Sequence, residues 1–215
     1  VETAVRVKPR LRGVVHQYAF FAALAAGIPL VLYASGPRER TAAAIFAGSV
    51  AAMFGASALY HRPTWSPRAR AWLCRLDHAM IYVLIAGTYT PFGLLVLQGT
   101  WRTAVLTVVW SGAAAAILQK LVWVEAPKWL AATIGLALGW IGVIVFPKLY
   151  GTLGIGGAIL LIGGGLLYTG GAIVYALRRP DPLPATFGYH EIFHVLVAAA
   201  VVCQYSAIAF YVLAD

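Results

Sequence analysis

The chain has 215 residues, of which 61% are hydrophobic and only 11% charged, whereas soluble domains carry about 25% charged residues. With a mean hydropathy of +0.82 there are too few polar groups to cover a water-soluble surface, so the composition excludes a soluble globular protein. The formal charge of +9, from 16 Lys and Arg against 7 Asp and Glu, lies in short segments between apolar runs, a membrane-loop pattern that leaves no basic face for nucleic acid.

A helix needs about 20 apolar residues to cross the hydrocarbon core. Seven runs qualify: residues 14–34, 41–60, 72–97, 103–122, 129–146, 153–177 and 189–213. The segment 1–13 ahead of the first run is basic, with Arg6, Lys8, Arg10 and Arg12. Gly36-Pro37 separates the first two runs and is flanked by Arg38 and Arg40. Pro63 lies in the second linker with Arg62, Arg68 and Arg70, and Arg75 is close by. Gly99 and Arg102 mark the third linker. Pro127 marks the fourth, with Lys120 and Lys128 at its edges. Pro147 and Lys148 mark the fifth, and the last linker combines Arg178 and Arg179 with Pro180, Pro182 and Pro184.

Lys and Arg are richer in alternate linkers, beginning with the N-terminal segment. That bias puts the N-terminus in the cytoplasm and the C-terminus outside. No polar stretch is long enough for a second domain, so 1–215 reads as a single all-α, seven-helix integral domain of the plasma (inner) membrane. The first run has the length of a span and more spans follow it, so it is expected to stay in the mature protein. Trp65, Trp72, Trp101, Trp123 and Trp129 fall at span ends, where interfacial aromatics belong. The sixth run is rich in glycine, which predicts close helix approach. Cys74 and Cys203 read as small buried residues with no disulfide framework.

Ionisable groups inside spans are costly and default to a functional role. They are few: His61, Asp77, His78, His190, Glu191 and His194, with Ser57 among them and His16 at the edge of the first span. The predicted orientation puts His61 at the cytoplasmic end of the second span, Asp77 in the first turns of the third, and His190 and His194 in the first turns of the seventh. Segments distant in sequence thus carry polar groups to one depth.

His190 and His194 are i and i+4, one turn apart on one helical face, a spacing that lets two imidazoles chelate one ion. His61 supplies a third nitrogen. Three protein ligands with an open fourth position is the pattern of catalytic zinc, and neutral imidazole suits zinc, with copper, nickel and iron as alternatives. Ser57, one turn before His61, can bond a neighbouring group or a substrate, or serve helix packing. A histidine pair at a span end can also simply face headgroups. Residues 190–194 read HEIFH, a literal HExxH. In soluble metalloproteases that motif supplies two zinc ligands and a glutamate base. Here the helix is a membrane span and no third ligand follows His194, so the protease reading is set aside. Glu191 is expected to face headgroups at the helix N-terminus, where a carboxylate suits the helix dipole.

The stretches KPRLRGVVHQ from Lys8, SALYH from Ser57, LDHAMIYVLIAGTYTPF from Leu76 and HEIFH from His190 together resemble the hemolysin III proteins, the bacterial branch of the progestin and adipoQ receptor family. The resemblance spans nearly the whole chain. It implies a seven-helix fold with a cytoplasmic N-terminus, and zinc held by His61, His190 and His194. It implies that Asp77 holds the water on the metal. His78 points about 100° away from Asp77 and reads as packing or support. His16 belongs to an N-terminal family motif of unnamed chemistry. The wider superfamily includes alkaline ceramidases, and lipid-amide hydrolysis has been proposed for it.

Three functions are therefore expected in descending order. The first is a zinc-dependent hydrolase of lipid amides or esters, with Asp77 and Ser57 as catalytic residues and membrane lipids as substrate. The second is a lipid-responsive regulator with structural zinc. The third is a pore-forming cytolysin, disfavoured because the outer halves of the spans carry few polar residues and no lytic segment is visible.

Overall fold

A computed structural model describes residues 8–123 and 126–214, with the side chain of Lys128 excepted. Arg6 and the Lys128 side chain, both counted above toward the charge bias, lie outside the described residues. The helices are α1 (Val14–Leu32), α2 (Pro37–His61), α3 (Pro67–Pro91), α4 (Gly99–Val122), α5 (Lys128–Gly139), α6 (Gly142–Leu177) and α7 (Tyr189–Tyr211), with a π-helical segment, Phe92–Val96, continuing α3. Among the described residues the only β feature is an isolated bridge between Leu183 and Phe187.

α2 and α3 start earlier than their apolar runs because their first turns are built from capping chemistry. Pro37 and Pro67 occupy first-turn positions, where a missing N–H costs nothing. The Ser66 hydroxyl accepts a hydrogen bond from the Ala69 N–H at 3.3 Å, a standard N-cap.

Among the described residues, six helical stretches are long and apolar enough to cross a membrane: Val14–Leu32, Pro37–His61, Pro67–Val96, Gly99–Val122, Trp129–Leu177 and Tyr189–Tyr211. The fifth and sixth predicted runs both fall within Trp129–Leu177. The expected break at Pro147 is absent, since Pro147 lies inside α6; apolar helices tolerate proline when neighbours re-satisfy the freed carbonyl. The break lies instead at Gly154, with φ 56° and ψ −166°, a conformation open to glycine and costly for other residues. Trp140 Nε1 donates to Thr169 Oγ1 at 3.1 Å across 29 residues. A straight helix would hold those residues about 44 Å apart. They lie almost equally far on either side of Gly154, so the chain doubles back there.

The sixth run's glycines divide by role. A Cβ at Gly157, Gly164 or Gly171 would press on Tyr211, Gln204 or Phe193 of α7, while Gly163, Gly165 and Gly170 face open space. Three buried glycines seven residues apart therefore form a seam on which α7 lies. α2 packs against both α1 and α3, and its Phe46, Val50, Met53 and Phe54 sit in the core with Tyr82 and Leu84 of α3. Large apolar side chains such as Phe21, Ile28, Ile144, Ile159 and Phe210 face outward, as a lipid-contacting surface requires. Trp72, Trp101, Trp123 and Trp129 are exposed near helix ends. The mid-helix Trp110 gives its N–H to Thr90 Oγ1 at 3.2 Å.

Candidate metal centre

His61 is the last residue of α2 and His190 and His194 open α7, while Asp77 lies about three turns into α3. These helix ends converge at one end of the bundle, so the four residues predicted to share a depth are neighbours. Ring centroids are 4.8 Å apart for His61 and His190, 5.2 Å for His61 and His194 and 4.6 Å for His190 and His194. One nitrogen from each ring lies within 4.8 Å of the other two. Asp77 Oδ2 is 3.7 Å from His61 Nε2. All four side chains are buried.

His61 Nε2 and His190 Nε2 are 3.2 Å apart. Two nitrogens on tetrahedral zinc, each about 2.05 Å from it, stand about 3.3 Å apart. Two rings at that distance cannot aim an N–H at each other, so at least one offers its lone pair. His194 Nδ1 is buried without a hydrogen-bond partner, an arrangement that costs about 1–3 kcal/mol when left so. The donor set is three imidazoles beside a carboxylate, which fits zinc better than an oxygen-seeking ion. These histidines can hold a metal ion.

The support around them comes from α1 and its approach. His16 Nδ1 and Ser57 Oγ are 2.8 Å apart. Ser57 also reaches the Asp77 carboxylate. The His16 ring stacks on His194, with centroids 3.8 Å apart and planes 14° from parallel. His16 thus braces a candidate ligand and, through Ser57, the candidate base. Reasoning from the sequence did not assign it this place. The depth argument contains the signal, because α1 begins at the end where α2 finishes. His78 lines the cavity described below, with its Nδ1 3.9 Å from Cys74 Sγ.

Glu191 departs from expectation. It is 1% exposed and does not face headgroups. Arg12 pairs with one carboxylate oxygen, and the other accepts the Gly188 N–H at 2.8 Å. The basic N-terminal segment is held over this end of α7 by further bonds, from Arg10 N–H to Ala185 O at 3.1 Å and from Leu11 N–H to Thr186 O at 3.2 Å.

The centre opens into an elongated, mostly apolar cavity of about 240 Å³. Along α3 and its continuation the lining runs from Asp77 to Leu97, about 30 Å of helix rise. His190 and His194 form one end, and Lys120 of α4 also borders it.

Comparison with known proteins identifies a family. The family described as Haemolysin-III related matches residues 5–205. A hemolysin-3 homolog of Bacillus subtilis (strain 168) is 32% identical over 167 residues, covering 78% of this chain and 75% of the relative. Hemolysin-3 of Bacillus cereus is 31% identical over 205 residues, covering 93% and 90%. A match of that extent, with relatives alike along most of their length, means that the chain belongs to the haemolysin III family.

Proposed function

We propose that the protein is a zinc-dependent hydrolase of lipid amides or esters, built as one domain of seven passes in the plasma membrane with a cytoplasmic N-terminus. The observation that carries the reading is the meeting of three imidazoles and a carboxylate, all buried, at the end of an apolar cavity. Two features support the topology. The reversal at Gly154 turns the 49-residue stretch into two passes, and the basic loops favour the end that holds the histidines.

His61, His190 and His194 would hold the ion. Zinc there would supply a Lewis acid that polarises a carbonyl and lowers the pKa of a water. The cavity takes the acyl chain and keeps bulk water from the reacting carbonyl. Asp77 accepts the proton that water loses as its oxygen attacks the carbonyl carbon, then delivers it to the departing amine or alcohol as the C–N or C–O bond breaks. Ser57, held between His16 and Asp77, fixes the carboxylate's orientation.

The test pairs metal analysis of purified protein with turnover assays on ceramides, N-acyl amino acids and phospholipids. Zinc at one ion per chain with release of free fatty acid is expected. Full zinc with no turnover across that panel would overturn the enzyme reading. One observation favours a structural metal instead: the site joins α2 to α7, which otherwise meet mainly through α1. On that reading the protein is a lipid-responsive regulator and Asp77 only sets helix position. The relatives' name suggests cytolysis, but the cavity's apolar lining suits a lipid chain better than a water-filled pore.

A further inference from the structure

We propose that Lys120 is the anion-binding residue of the lipid cavity, and that the lipid taken is a single-chain amphiphile with a carboxylate or phosphate in its head. This rests on the reading that the cavity holds a lipid, though not on turnover.

Lys120 is 3% exposed and lies in the last turn of α4. A buried cation in a membrane helix is expensive unless a partner or a functional ligand compensates it. Among the described residues it has no carboxylate partner. Glu191 is taken by Arg12. Asp181 accepts the Tyr189 N–H. Asp77 faces His61 and Ser57, and Glu39 is in the first turn of α2, at the opposite end of that helix from His61. The titratable neighbour of Lys120 is the Cys74 thiol, which is no obligate anion.

Lys120 instead borders the cavity that ends at His190 and His194. Cys74 stands one turn before His78 on α3, so its proximity places Lys120 toward the histidine end. An apolar tunnel with one ammonium near the reacting end selects an anionic head on an apolar tail, since a charge-assisted hydrogen bond in a dry site is strong. The lining follows α3 and its continuation for about 30 Å of rise as one apolar path leading to that ammonium, which suits a single acyl chain.

The experiment uses full-length protein in phosphatidylcholine nanodiscs with cis-parinaric acid as probe, read by energy transfer from the seven tryptophans. Wild type is expected to bind the acid at least about tenfold more tightly than its methyl ester. Lys120→Met should erase that difference by weakening the acid alone, and Lys120→Arg should retain it while controlling for folding. Competition by palmitate against palmitoyl-lysophosphatidate tells carboxylate from phosphate. Equal binding of acid and ester by wild type would overturn the proposal. So would an unchanged acid affinity in Lys120→Met, or a gain in affinity in Glu125→Gln, a change at a carboxylate close in sequence and outside the described residues, which would assign the amine to it. Lys120-dependent binding without hydrolysis would defeat the hydrolase reading alone. Hydrolysis without charge selectivity would defeat the Lys120 assignment alone.

Discussion

Gly13→Ala should damage the metal centre although residue 13 carries no ligand. Gly13 has φ +79°, and a Cβ there would stand 2.6 Å from His61 Cβ. Two costs follow. An L-residue in the left-handed region costs about 1–2 kcal/mol, and overpacking against a fixed neighbour adds about 1–3 kcal/mol. Gly99 separates them, because its φ is +53° but nothing lies within 4 Å of its added Cβ. Gly99→Ala should therefore lose about 1–2 kcal/mol and keep its metal. Gly13→Ala should lose about 2–5 kcal/mol. It should also bind zinc at least about tenfold more weakly, as happens when the support of a ligand is disturbed. His61 must retreat by roughly 0.8 Å to reach ordinary contact, and it lies at the end of α2 with little slack. Equilibrium unfolding in mixed micelles gives the first quantity, and zinc content after dialysis against buffered free zinc gives the second. Equal stability losses in the two variants, both with full zinc, would refute the coupling between Gly13 and the site.

Three further changes test the remaining parts. His61→Ala should drop zinc in the purified protein to less than about a tenth of wild type, because two imidazoles from one helix do not complete a site; unchanged metal content would break the three-histidine assignment. Asp77→Asn should keep zinc and fold but slow turnover by about 10²–10⁴-fold, the usual contribution of a positioned general base, and unaltered lipid hydrolysis would remove Asp77 from the chemistry. Glu191→Gln should cost about 1–2 kcal/mol by thermal unfolding, through loss of the Arg12 pair, while zinc and turnover persist; abolished turnover with zinc intact would restore the HExxH glutamate as base.

Much of this was legible in the sequence because lipid imposes a length and removes water. Five of the seven predicted runs each overlap one helix closely, while the fifth and sixth share Trp129–Leu177, and charge bias aligns His61, Asp77, His190 and His194, which the fold then brings together. What escaped has physical reasons. Pro147 looks like a breaker by soluble rules, yet an apolar helix absorbs it, and the real reversal needs the backbone freedom of Gly154, one glycine among many in that run. The glycine seam was foreseen only as close approach, since which glycines face α7 depends on the helix phase. In the sequence Lys120 reads as an interfacial charge, because periodicity cannot tell a lysine bordering a cavity from one reaching into headgroups. The sequence shows His16 at the edge of the first span but gives it no role, since stacking on His194 is a tertiary fact.

The HExxH match shows how position in a helix changes what a motif does. Counting from Gly188 as N-cap, Tyr189 is the first helical residue, His190 the second and Glu191 the third. The third position is where a glutamate reaches back to the N-cap N–H, and Glu191 does so at 2.8 Å. Its other oxygen meets Arg12, so both oxygens are committed before any water could be held. Deeper in a helix the same residue would be free of capping and available as a base. The two histidines lose nothing by the shift, because their i, i+4 spacing needs only one turn of helix. On the proposed hydrolase reading, the base must then come from another segment. Asp77, 3.7 Å from His61 Nε2 and tied to His16 through Ser57, is the carboxylate with that position.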